Sequence, residues 1–437
     1  MADAKEGDKV KVITKDETVE GILMPNKETD SVVIKLDSGY NVGFDRKNVK
    51  KIEVVEKAKA AKEKKGGEVK MNKKLPTIAI LHTGGTIASK VDYKTGGVVA
   101  RFSPEDLLEM FPELEKIANI RSKLISNMFS EDMRFKHYSI IAKAVEEEVK
   151  KGCDGVIITH GTDTMCYSSA ALAFMLEDLP VPVILVGAQR SSDRGSSDAG
   201  MNLIDAAHFI AKTDFAGVAI CMHETSEDIS CDIFPATKTR KLHSSRRDAF
   251  KAVNALPIAR VKKDKSIQFL TRNYPKKSDS KLEVHPNLEE KVAILRVHPN
   301  MVPEQFEFYK SYKGLIIEGT GLGQAPVGVP NEYCEIHKKN LEAIRNLVKN
   351  GTVVVMTTQT IFGRVHMHVY SNAIMLENAG VVPGEDMLTE TAFVKLAWLL
   401  ANHPKEAKEL MRKNLRGEIT ERSEFEEDFL KCGQFSK

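Results

Sequence analysis

The sequence predicts an α/β protein of two successive units, each built on a parallel sheet, preceded by a small all-β barrel of SH3-like size. Three observations carry this expectation. From residue 75 onward, short apolar runs alternate with amphipathic helical stretches. Such runs are strands buried on both faces by crossover helices. Before residue 56 the runs are shorter, β-branched and separated by turn residues, as in a small antiparallel barrel. At 437 residues the chain is also too long for one ordinary domain.

Taken in order, residues 1–55 form the accessory barrel. "DKVKVIT", "TVEGILMP", "SVVIKLD" and "YNVGFD" are its strands, and "MPNKETD" and "DSG" are turns. Residues 56–74 are mostly Lys, Ala, Glu and Gly, a composition too poor in core-forming side chains to fold, and read as a charged linker. Residues 75–262 make the first α/β unit. Its strands are "TIAIL", "GVIIT", "PVILVG" and "GVAICM", with helices such as "YSIIAKAVEEEVKKG" between them. A charged stretch, 263–290, reads as an interdomain linker. The second unit spans 291–410 with strands "VAILRV", "GLIIEGT" and "TVVVMTT". Residues 411–437 read as a charged tail.

Composition excludes several classes. The net charge is +3, too small for a protein that holds nucleic acid mainly by charge. No apolar stretch is long enough to span a bilayer, and the polar start "MADAKEGDK" has no signal-peptide core, so no membrane is expected and the location is cytoplasmic. Six scattered cysteines contain no CxxC pair, which argues against a zinc ribbon or a redox dithiol. No metal and no cofactor are expected in this chain. His366 and His368 share one side of an extended segment, but carboxylate partners at ligand spacing are missing.

Chemistry is expected beyond the carboxyl ends of the strands. "TIAIL" delivers His82-Thr83-Gly84-Gly85-Thr86, and "GVIIT" delivers His160-Gly161-Thr162-Asp163-Thr164. "ATKTRK" supplies Lys238. A phosphate loop is disfavoured, because neither GxxxxGK[ST] nor a complete GxGxxG follows a strand. The inventory of two hydroxyls, a carboxylate and a lysine suits a threonine activated for acyl transfer. A desolvated lysine serves as the base, and glycine-freed N–H groups serve as an oxyanion hole. Thr83 reads as structural, and His160 as orienting its loop.

"ILHTGGTIAS" and "VIITHGTDTM", with "LPVPVILVGAQRSSD" and "SDAGMNLIDA", resemble the motifs of the bacterial-type L-asparaginase family over residues 75–405. The resemblance implies a two-domain asparaginase-like amidohydrolase that acts as a homodimer. It implies Thr86 as nucleophile, Thr162 and Asp163 as second hydroxyl and acid, and Lys238 as the lysine of a Thr-Asp-Lys triad. It also implies Tyr93 on a mobile lid and Ser130 at the substrate α-carboxylate. Glu131 departs from the family's frequent glutamine and places a carboxylate where the substrate α-amino group binds. Which of Thr86 and Thr162 attacks first stays open. With the barrel, linker and tail, the whole chain resembles the asparaginase-like components of the archaeal amidotransferases that convert Glu-tRNA(Gln) to Gln-tRNA(Gln). That implies a Gln or Asn amide donor and ammonia passed to a partner, the amidotransferase's E subunit. The partner would hold ATP, Mg and most of the Glu-tRNA(Gln).

Overall fold

The computed structural model describes residues 4–5, 7–24, 31–36, 41–57, 71–84, 89–91, 98–100, 107–108, 110–190 and 197–423. At the N-terminus, strands Lys9–Ile13, Thr18–Leu23, Ser31–Lys35, Asn41–Asp45 and Lys51–Glu56 form one antiparallel sheet. The period-two alternation sorts them: Val10 and Val12 are buried with Val32, Ile34 and Phe44, while Lys9 and Lys11 lie on the other face beside Glu20.

The first α/β unit is an eight-stranded mixed sheet. Five strands are parallel, in the spatial order Gly217–His223, Pro182–Val186, Gly155–Thr159, Thr77–His82 and Asn119–Leu124. Antiparallel strands Ser230–Pro235, Ala259–Lys262 and Ile267–Phe269 extend it beyond Gly217–His223. The last of these comes from the segment expected to be linker. Its charged residues concealed three sheet-forming positions, and Phe269 stacks on Tyr274 at 4.4 Å.

The continuous apolar runs are explained by burial on both faces. In Thr77–His82, Ile78 and Ile80 enter one core with the helix Ala199–Lys212. Ala79 and Leu81 enter the other, with the helix Phe135–Lys150. Thr77–His82 lies between Gly155–Thr159 and Asn119–Leu124, and the chain crosses from one side of it to the other. This is a topological switch point, where a crevice opens at the carboxyl ends.

The second unit has four parallel strands in sequence order: Val292–Arg296, Gly314–Gly319, Val353–Thr358 and Val382–Pro383. The two units share a core. Helix Met165–Met175 is apolar all round and buried at every position but Tyr167, as a helix enclosed on all sides must be. It packs against helix Thr389–Asn402, and Phe174 stacks on Trp398 at 5.9 Å between ring centroids. Each such ring contributes about 2–3 kcal/mol by burial. The Trp398 indole N–H donates to the His285 carbonyl at 3.2 Å. Residues 411–423, the described part of the charged tail, are partly enclosed. Met411, Glu418 and Ile419 are buried, and Lys395 pairs with Glu418 at 2.6 Å with both side chains fully enclosed.

Candidate active site

Three parallel strand ends converge at the switch point. After Thr77–His82, the backbone N–H and hydroxyl of Thr83 both donate to the Thr159 carbonyl, at 3.1 and 2.9 Å. Thr83 is therefore a fastener between two strands, in keeping with its structural reading. Gly84 follows with φ +118°, and a Cβ there would stand 2.2 Å from the Met128 carbonyl oxygen. Only glycine allows the loop to turn that close to the segment leading to Ser130.

The second strand end, His160–Thr164, lies beside Ser130. A Cβ on Gly161 would come within 2.9 Å of the Ser130 Cβ, and the Thr164 hydroxyl donates to the Ser130 carbonyl at 2.6 Å. Ser130 is buried. Its hydroxyl faces the Glu131 carboxylate at 3.5 Å, the outer limit of a hydrogen bond. Ser130 and Glu131 thus lie against the loop that carries Thr162 and Asp163, although more than thirty residues separate them in sequence.

His160 and His82 are buried and serve the scaffold. His160 Nε2 meets the Ser168 hydroxyl at 2.7 Å and Nδ1 the Gly161 carbonyl at 2.6 Å. His82 sits between the hydroxyls of Thr159 (2.9 Å) and Ser122 (3.0 Å). Burial pushes both rings down to about 4, so both are neutral near pH 7.

The lysine that meets Thr162 and Asp163 is Lys241; Lys238, expected there, does not. Lys241 Nζ donates to Thr162 Oγ1 at 2.9 Å and to Asp163 Oδ1 at 2.8 Å. Its side chain is largely buried, whereas Asp163 is 66% exposed. Lys238 turns the other way, into the junction of the two units, and pairs with Asp386. Burial lowers the Lys238 pKa, and the Asp386 charge opposes that effect. The reason lies in the strand Thr239–Lys241. Residues three apart on an extended segment face opposite sides. Lys238 and Arg240 share the side facing Asp386 and Glu390, while Lys241 faces Thr162. That alternation puts the two lysines of "ATKTRK" on opposite sides, and Asp386 decides which of them faces Thr162.

Thr86 and Tyr93 lie outside the described residues. Among those described, Ser130, Glu131, Thr162, Asp163 and Lys241 come together. Such a cluster can hold a carboxylate-bearing substrate and relay protons between hydroxyls. Among the described residues no group of three His, Cys, Asp or Glu side chains is placed to hold a metal. His368 pairs with Glu377 at 3.1 Å. No helix of the described residues is long and apolar enough to cross a membrane.

Comparison with known proteins identifies the family. The family described as "Asparaginase, N-terminal" matches residues 77–274, and "Glutaminase/Asparaginase C-terminal domain" matches 291–412. Residues 4–55 match "GatD N-terminal domain". The D subunit of glutamyl-tRNA(Gln) amidotransferase from Pyrococcus furiosus is 47% identical, over 95% of this chain and 94% of its own length. Its namesake from Methanococcus maripaludis is 48% identical, over 95% of this chain and 98% of its own. Among solved structures, the thermostable L-asparaginase from Thermococcus kodakarensis superimposes with TM-score 0.68 and 31% identity, covering 79% of this chain and 99% of that one. L-asparaginase I from Vibrio cholerae gives 0.67 and 27%, with coverage of 79% and 99%.

Proposed function

This chain belongs to the family of glutamyl-tRNA(Gln) amidotransferase D subunits, and on that premise we propose how its site releases ammonia and where the ammonia goes. The chain is an amidohydrolase of the glutaminase and asparaginase type. Its donor is the side-chain amide of Gln or Asn, and the ammonia passes to a partner, the E subunit, that amidates Glu-tRNA(Gln). ATP and Mg belong to that partner, and the chain acts as a homodimer in the cytoplasm.

The observation that carries the mechanism is the contact of one lysine with both Thr162 and Asp163 at the switch point. Thr86 Oγ attacks the amide carbon. Its proton leaves through Thr162 and Lys241, and Asp163 keeps the lysine in line. Loop N–H groups stabilise the oxyanion. The C–N bond breaks, and the returned proton leaves with ammonia. Water then cleaves the threonyl ester, releasing Glu or Asp. Ser130 holds the substrate α-carboxylate, Glu131 its α-ammonium, and Tyr93 closes over the site.

The test uses Thr86→Ala and Thr162→Ala in the complex with the partner, Glu-tRNA(Gln) and ATP. Both lose Gln- or Asn-dependent amidation and keep amidation from added ammonia. Loss of both activities would place these threonines outside the ammonia-releasing step. Full-rate asparagine hydrolysis by the parent chain without its partner would favour a free-standing asparaginase.

A further inference from the structure

The hairpin that carries Lys241 is held from behind. Its strands pair with Thr239 opposite Ala252 and Lys241 opposite Phe250, whose side chain is fully buried. Three residues before Lys241, the Lys238 ammonium is enclosed against Asp386, in the loop before helix Thr389–Asn402. The same Asp386 carboxylate accepts the Thr420 N–H at 3.0 Å and the Thr420 hydroxyl at 2.5 Å. Its carbonyl accepts from Lys238 and from Asn254, each at 3.2 Å.

Residue 420 belongs to a run of chain beyond the matched asparaginase C-terminal domain, which ends at 412. That run is fastened along its length. Glu418 pairs with buried Lys395 and accepts the N–H groups of Leu415 and Arg416. Arg364 grips the carbonyls of Thr420 at 2.5 Å and Glu421 at 3.0 Å. Arg416 donates to Glu177 at 2.8 Å, and its carbonyl accepts the Thr237 hydroxyl at 3.2 Å. Thr237 in turn receives the Thr391 hydroxyl on its carbonyl at 2.8 Å. Residues 237 and 238, at the foot of the lysine hairpin, are thus both tied to 416–420.

We propose that residues 414–421 form a strap that positions Lys241. Through Thr420 and Asp386 on one side and Arg416 on the other, the strap fixes the hairpin foot. The paired strands carry that fixed register to Lys241, three residues on. Lys241 is a flexible side chain that must meet both Thr162 and Asp163, so a shift of about 1 Å at the foot breaks the relay. Thr420, Asp386 and Lys238 are positioning residues that touch neither substrate nor reacting atoms. The inference rests on Lys241 being the lysine of the reaction.

The test compares Thr420→Val, which loses the hydroxyl bond to Asp386, with Thr420→Ser, which keeps it. Both are made in the full chain within the amidotransferase complex. Ammonia release is followed on L-glutamine and L-asparagine, with circular dichroism to verify folding. Thr420→Val lowers kcat by about tenfold or more with KM within about twofold, and Thr420→Ser restores kcat to within about twofold of the parent. A smaller fall in Thr420→Val, or an equal fall in Thr420→Ser, overturns the strap. If Thr420→Val does not fold, Thr237→Val and Thr237→Ser decide by the same thresholds. Lys241→Met separates the two ideas. If it retains activity, the reading of the site fails. If it is inactive while Thr420→Val is normal, the strap alone fails.

Discussion

Replacing Lys241 and Lys238 by methionine, one at a time, asks opposite things of the molecule. Both changes remove one amino group and keep a side chain of similar length. Lys241 pairs with Asp163, a carboxylate 66% exposed to water. A pair so placed contributes about 0–1 kcal/mol to stability, so Lys241→Met unfolds at nearly the parent's denaturant concentration. Its cost falls on catalysis, where loss of a proton-transfer group lowers kcat by roughly 10²–10⁴-fold. Lys238 pairs with Asp386 where side-chain exposures are 1% and 2%. Removing it leaves the buried carboxylate with Arg364 at 3.7 Å as its remaining cation, a loss of up to about 3–5 kcal/mol. Guanidinium unfolding with tryptophan fluorescence reads the stability arm, since Trp398 lies in the core shared by the two units. Initial ammonia release reads the other. The assignment is refuted if Lys241→Met keeps parental kcat, or if Lys238→Met keeps full stability and alone abolishes turnover.

The neutral rings of His82 and His160 predict an acid limit. The unfolded chain takes up a proton at each ring below the ordinary 6.5, while the native rings hold out to about 4. Stability therefore falls as pH drops from 6.5 toward 4, by about 3 kcal/mol per ring at most. A denaturation midpoint flat across that window would refute it. Gly84→Ala forces a Cβ against the Met128 carbonyl at positive φ. It should cost about 1–3 kcal/mol and lower kcat roughly a hundredfold by moving the loop that leads to Thr86; parental kinetics would show that the loop adapts freely. Ser130→Ala should raise KM about tenfold with kcat within about twofold, as loss of a ground-state contact does. A fall in kcat at constant KM would move Ser130 from binding into chemistry.

Much of the architecture was written in the chain. Alternating burial of Ile78 and Ile80 against Ala79 and Leu81 requires a strand covered on both sides, and an apolar run is its only form. The two Gly-Thr motifs were legible for the same reason, since each follows such a run. The antiparallel additions were not. Ile267–Phe269 is a three-residue edge strand and Ala259–Lys262 its four-residue neighbour, and Arg260 and Lys262 interrupt the apolar pattern of the latter. Which lysine meets Thr162 was hidden because "ATKTRK" offers two candidates, and which side of the strand faces Thr162 is decided by Asp386, some 150 residues away in sequence. Burial of Glu418 and Ile419 within the 414–421 run was equally hidden. Charged side chains announce solvent, and only the partners Lys395 and Arg364 turn Glu418 and its neighbours inward.

The helix Met165–Met175 starts one residue after Thr164, so the loop bearing Thr162 and Asp163 is continuous with the element on which the two units close. Its Ser169 hydroxyl also reaches the Ala236 carbonyl at 2.9 Å, just before the lysine hairpin. The helix works as an axle common to both halves: neither half can rock on it without turning the threonine loop. A crosslink or a bound protein that alters the angle between the halves would therefore register at the scissile amide, with no need to touch the site.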